Sequence, residues 1–188
     1  MLTLSRKTSV LLPVFGISLL IDQLTKFWII SRFSYGEQWV VIPGVFNLTH
    51  VRNPGGAFSI LATMSEDVRQ AFFLGTGALA IVLLLAFFRR LEADEWLSAT
   101  AIGAVLGGAI GNLTDRIVHG EVIDFLDVRL FGGYVWPTFN MADSWILMGV
   151  GILMLETFFT SEPDPEEVVP AESPEPDLSA DSAGPSVP

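Results

Sequence analysis

Apolar residues in this chain gather into four long blocks, at residues 10–30, 70–88, 96–114 and 141–159. A helix needs about 20 mostly apolar residues to cross a hydrocarbon core of about 30 Å, and each block meets that length. The pattern predicts a mainly α membrane protein, a bundle of four transmembrane helices. The first block follows Arg6 and Lys7, as a secretory signal would. It runs too long for one, carries Asp22 and Lys26, and no small-residue cleavage site follows it, so it is expected to stay as a span. In the third block Gly103, Gly107 and Gly111 recur every four residues, which puts them on one helix face and predicts close backbone packing.

The polar stretches between the blocks are patterned too. Residues 38–42 and 45–51 flank Pro43-Gly44, and residues 121–130 and 134–139 flank Gly132-Gly133. Both arrangements predict short strands joined by turns, hence a small sheet at the membrane surface. The run AFSILA at 57–62 is too short to span and predicts a short interfacial helix. Four spans put residues 31–69 and 115–142 on one face of the membrane, and both termini with the 89–95 loop on the other. Arg6, Lys7, Arg89 and Arg90 lie on the terminal side; Arg32, Arg52, Arg69, Arg116 and Arg129 lie opposite. The raw count opposes cytoplasmic termini, but the first helix usually sets orientation. The expectation is therefore that both termini are cytoplasmic and the two long loops extracytoplasmic.

Composition changes this picture in one place. The chain is 51% hydrophobic with a mean hydropathy of +0.52, as four spans require, yet its net charge is -11. Eight of its acidic residues, seven prolines and no Lys or Arg fall in residues 161–188. Such a segment cannot bury enough apolar surface to order itself. The organisation expected is one membrane domain over 1–160 and a disordered acidic tail over 161–188. The chain has no cysteine, which excludes disulfides and a thiolate nucleophile. No basic patch points to nucleic acid.

Ionisable residues inside spans are costly and are usually paired or functional. Asp22 and Lys26 stand four apart and can neutralise each other on one helix face. Asn112, Asp115 and Arg116 end the third block, Asn140 and Asp143 open the fourth, and Asp124 sits between them in an apolar run, Val122-Ile123-Asp124-Phe125. Two neighbouring carboxyls cannot both ionise cheaply, so such a pair shares a proton. One member can then activate water while the other protonates a carbonyl or amine. Spacing leaves Asp115 and Asp127 open as alternative members of the pair. His50 and His119 lack metal-ligand spacing, and Ser59 and Ser144 lack a nucleophile motif. A transporter or channel using Asp22 and Lys26, or a scaffold whose charges merely pair, are the rival readings.

At these residues the chain resembles the bacterial lipoprotein signal peptidases, or signal peptidase II. The matching stretches are DQLTK at 22–26, RNPGGAFS at 52–59, GNLTDR at 111–116, VIDF at 122–125 and FNMADS at 139–144. Together they span about residues 10–160. Gly56 departs from the pattern, which usually has alanine there, and the tail lies outside it. The resemblance implies an aspartic endopeptidase of the bacterial cytoplasmic membrane, cutting just before a diacylglyceryl-modified cysteine in a prolipoprotein. It implies Asp124 and Asp143 as the catalytic pair, with Asn53, Asn112, Asp115, Arg116, Asn140, Asp22 and Lys26 supporting the site. It implies a four-helix bundle with a small extracytoplasmic sheet and an interfacial helix. No metal or organic cofactor is expected, and the partners expected are the prolipoprotein and membrane lipid, with the enzyme a monomer.

Overall fold

The computed structural model describes residues 5–55 and 64–160. The expected interfacial helix at 57–62, Gly56 and the acidic tail lie outside the described residues. Four helices carry the apolar blocks: α1 (Arg6–Arg32), α2 (Glu66–Arg90), α3 (Trp96–His119) and α4 (Met141–Thr160). All four are long and apolar enough to cross a membrane. Each reaches or overruns the limits of its apolar block, because polar residues at a helix end can extend into the headgroup layer while the backbone stays hydrogen-bonded. α3 stops at Gly120, whose φ of 77° is the left-handed conformation that glycine adopts freely, and its N–H donates to the Arg116 carbonyl at 3.0 Å.

α3 is the central helix, with twelve buried residues, whereas α2 has none. In lipid, helices gain little from hiding apolar surface and associate through close packing and hydrogen bonds. The glycines supply that closeness. A Cβ added at Gly103 would come within 2.9 Å of the Leu11 carbonyl on α1, and Gly107 lies directly against Ser18 of the same helix. Gly108 meets the Ala142 carbonyl of α4, and Gly111 meets the Asp22 carboxyl. The expected glycine face thus packs on α1, and a second glycine contact seats α4. At the end of the bundle away from the sheet, the Lys7 ammonium donates to the Phe88 and Leu91 carbonyls that α2 leaves open, and Arg6 lies over the Trp96 ring.

Three strands form an antiparallel sheet in the order β1 (Gln38–Ile42), β2 (Phe46–Asn53) and β3 (Val122–Val128). Register brings Val51 opposite Asp124 and Asn47 opposite Asp127. The fourth predicted strand, 134–139, is not formed. That segment makes only two isolated bridges, Val135 to Arg129 and Phe139 to Leu126. Pro137 has no N–H to give to a ladder, and the positive φ of Gly132 and Gly133 turns the chain before pairing can extend. The Phe139 carbonyl still accepts from the Leu126 and Phe125 amides, at 2.8 and 3.0 Å, which holds the start of α4 beside β3. Ile29 of α1 and Phe33 just past its end pack on Ile123 and Phe125 of β3, joining sheet to bundle.

The α3–α4 seam yields a prediction. A side chain at Gly149 would meet the Ala101 carbonyl and Val105 Cγ2, both at 2.6 Å, while one at Gly151 would meet nothing within 4 Å. Gly149→Val is expected to lower the thermal unfolding temperature, overpacking costing about 1–3 kcal/mol. Gly151→Ala is expected to leave it unchanged or raise it. Equal behaviour of the two variants in a detergent melt would contradict this account of the seam.

Candidate active site

The site is assembled where α1, α3, β3 and the start of α4 meet. Asn140 occupies the N-cap position of α4 and is fully buried. Its Oδ1 accepts the Asp143 N–H at 3.0 Å, while the Asp143 Oδ2 accepts the Asn140 N–H at 3.3 Å. This is a reciprocal cap across the first turn, and it fixes the Asp143 side chain against its own helix end. The Asn140 amide nitrogen, meanwhile, donates to Asp124 Oδ1 at 2.7 Å and also reaches Asn112 Oδ1 at 3.1 Å. One residue therefore reaches both candidate carboxyls, Asp124 through its side-chain amide and Asp143 through its backbone N–H.

Each carboxyl has one further amide donor. Asn53 at the end of β2 donates to Asp124 Oδ2 at 3.0 Å, and Asn112 of α3 donates to Asp143 Oδ1 at 2.8 Å. Asp124 is 2% exposed. Its removal from water, followed by the nearby negative charge of Asp143, pushes its pKa up to about 7, against the lowering pull of Asn53, Asn140 and Lys26.

Behind the pair lies a buried ion network. The Lys26 ammonium is 2.8 Å from Asp22 and 2.8 Å from Asp115, and it donates to Asn112 Oδ1 at 2.9 Å. Asn112 therefore has its oxygen held by Lys26, which leaves its nitrogen to face Asp143. Asp22 Oδ1 accepts the Ala142 N–H at 2.8 Å, capping α4 from α1. Asp115 Oδ2 accepts the Ile123 N–H at 3.2 Å, which positions the residue before Asp124.

Arg116 projects from the same end of α3. Its guanidinium lies 4.3 Å from the Phe73 ring centroid on α2, and Nη2 donates to the Gly55 carbonyl at 3.3 Å. It lies within electrostatic reach of both Asp124 and Asp143. Its Nη1 is buried and has no hydrogen-bond partner among the described residues.

All nine residues that the sequence singled out thus fall in one connected cluster. The two open alternatives have other partners. Asp115 is held by Lys26, and Asp127 Oδ2 accepts from Gln38 and Asn47, both at 2.7 Å, on the sheet. The structure adds members that the sequence reading passed over. Gln23 donates to Asp22, Gly111 and Asp115 at 3.1 to 3.3 Å, and Gln70 of α2 donates to the Arg116 carbonyl at 3.1 Å. An amide beside Asp22 within a span was the available signal for Gln23; nothing local marked Gln70. Among the described residues no group of three His, Cys, Asp or Glu side chains is placed to hold a metal ion.

The comparisons with known proteins agree on one family. A family model described as signal peptidase (SPase) II matches residues 14–159. A lipoprotein signal peptidase of Syntrophotalea carbinolica is 46% identical over 146 residues, covering 78% of this chain and 89% of that protein. The lipoprotein signal peptidase of Geobacter metallireducens is 41% identical over 143 residues, covering 76% and 86%. A bacterial membrane enzyme solved by the in meso method at 2.3 Å superposes with a TM-score of 0.74 at 31% identity, covering 85% of this chain and 94% of that one.

The raised pKa of Asp124 has a testable sign. The folded form holds this proton more tightly than the unfolded chain does, so the contribution to stability is complete below about pH 4 and is lost as pH rises through about 7. The unfolding temperature of the native chain is expected to fall over that window relative to Asp124→Asn, which has no proton to lose. Parallel pH profiles for the two proteins would show that Asp124 is not the titrating group.

Proposed function

This chain belongs to the signal peptidase II family, and we propose that Asp124 and Asp143 are the carboxyl pair with which it cuts its substrates. The family comprises aspartic proteases of the bacterial inner membrane that remove signal peptides from prolipoproteins, and this is the activity of the chain. The observation that carries the assignment of the pair is Asn140, which binds Asp124 with its amide while sharing a reciprocal cap with Asp143.

The proton is assigned to Asp124, whose pKa is about 7. Asp143 is assigned the part of the base, because two neighbouring carboxyls that share one proton leave the other ionised. Asp143 takes a proton from water, and the oxygen attacks the scissile carbonyl carbon. Asp124 gives its proton to the carbonyl oxygen, so the tetrahedral species forms as a neutral diol. In the second step Asp143 returns its proton to the peptide nitrogen, the C–N bond breaks, and a diol O–H returns a proton to Asp124. The pair ends as it began.

Asn53, Asn112 and Asn140 each give an amide N–H to one of the two carboxyls. Their role is accordingly to fix geometry, and the Nη1 of Arg116, unpaired among the described residues, is a donor left for substrate. Preorganised donors of this kind lower the barrier without reorganising during reaction. Asp22, Lys26 and Asp115 hold Asn112 and the starts of α4 and β3.

The substrate bond is taken to be the one just before a diacylglyceryl-modified cysteine. Acyl chains in the leaflet would bring that bond to the headgroup level, which is where a site at the end of α3 and the start of α4 is reached. The site is assigned to the extracytoplasmic face and both termini to the cytoplasm, the enzyme acting as a monomer. Residues 1–160 form the working unit in this reading, and the tail over 161–188 takes no part in cleavage.

Purified full-length protein supplied with a lipidated prolipoprotein tests the assignment. Asp124→Asn and Asp143→Asn are each expected to reduce cleavage by about 10²–10⁴-fold, with the proteins still inserted and folded. Asp127→Asn is expected to retain activity. Substantial cleavage by either of the first two, or equal loss in the third, overturns the pair. Truncation after Ser161 is expected to leave the rate unchanged, and an inactive truncation would give the tail a role.

A further inference from the structure

α1 has 27 residues and is therefore about 40 Å long at 1.5 Å per residue. That matches a bilayer counted with its headgroups, about 40–45 Å. Its last turn, ending at Arg32, lies at headgroup depth on the side of the sheet. There the chain turns into β1, one of the two edge strands, all five of whose residues are exposed. Between the helix end and the strand runs an open groove of about 430 Å³, lined by Trp28, Arg32, Phe33, Glu37, Gln38 and Trp39.

The chemistry of this groove is specific. Arg32 is exposed and makes no ion pair among the described residues, and neither does Glu37. One oxygen of Glu37 accepts the Ser34 N–H at 2.8 Å, which orients the carboxylate and leaves its other oxygen for a further donor. Trp28 and Trp39 are 40% and 58% exposed. Tryptophan at this depth favours the interface between lipid and water, with an apolar ring and a polar edge. One cation, one anion and two indoles therefore line a single groove continuous with the lipid-facing side of α1. None of them takes part in the cluster around Asp124 and Asp143.

We propose that this groove binds the headgroup of a phospholipid that carries a primary amine, drawn from the leaflet on the active-site side. The guanidinium of Arg32 receives the phosphate, for which its donor fork is suited. The free oxygen of Glu37 receives the ammonium, and the two indoles flank the glycerol and upper acyl chains. A purely anionic headgroup would set its charge against Glu37 with nothing to offer it. A trimethylated headgroup has no N–H to donate to the carboxylate. The bound lipid seats the sheet at a fixed height, and the sheet carries Asn53 on β2 and Asp124 on β3.

The test is native mass spectrometry on the purified full chain supplied with equal amounts of phosphatidylethanolamine, phosphatidylglycerol and phosphatidylcholine. The native protein is expected to retain phosphatidylethanolamine several-fold over the other two. Arg32→Gln is expected to reduce that retention by about tenfold or more, the loss of one charge-assisted contact. Glu37→Gln is expected to erase the preference over phosphatidylcholine while leaving a basal level of lipid. Trp39→Ala, at an exposed position, gives an independent reduction if either charge variant unfolds. Equal retention of the three lipids by the native chain overturns the proposal, as does unaltered discrimination in all three variants. Displacement of the lipid by a lipidated prolipopeptide, with a raised KM in Arg32→Gln, would assign the groove to substrate instead.

Discussion

Lys26 sits nearly two turns inside the end of α1, buried to 2% exposure, so its ammonium must be met by protein. Asp22, Asp115 and the Asn112 side-chain oxygen meet it, from two helices. Breaking such a buried group leaves an uncompensated charge, a far larger loss than a surface pair. The rest of the polar architecture follows outward from that ammonium. The second oxygen of Asp22 caps α4, and Asp115 holds the amide just before Asp124. Two elements carrying the acids are thus anchored to one cation that neither of them touches directly.

The same network also settles orientation at the level of single amides. An asparagine can present oxygen or nitrogen, and the neighbours choose. Lys26 can only donate, so it holds the Asn112 oxygen and turns the nitrogen to Asp143. Asn140 has its oxygen claimed by the Asp143 N–H, so its nitrogen faces Asp124. The lone pairs on both carboxyls are arranged by groups whose own freedom is already used, which is what keeps a reactive pair from drifting.

The four spans were legible because bilayer thickness imposes a length that composition alone reveals. Asp124 and Asp143 stood out from their surroundings, a carboxyl amid apolar residues and another just inside a span. Choosing them over Asp115 and Asp127 was not possible from spacing. That choice depends on Lys26 and on Gln38 and Asn47, which lie 80 to 89 positions away from the aspartates they engage. The missing strand at 134–139 failed for a related reason. The Gly132-Gly133 turn signal suggested pairing, but Pro137 and the conformation of Gly132 and Gly133 decide whether a ladder can propagate. Gln70 acts only through a contact between helices, and its own neighbourhood carries no trace of it.

The spacing of Asp22 and Lys26 has a bearing on biosynthesis. A ribosome adds roughly 5–20 residues per second, so several seconds separate emergence of the first span from that of Asp115. During that interval the first helix enters lipid without its eventual partners. Because its acid and base are one turn apart and 2.8 Å from each other, the segment is electrically self-contained on insertion. The later helices then join a charge pair already formed, instead of having to rescue a bare ion from the hydrocarbon.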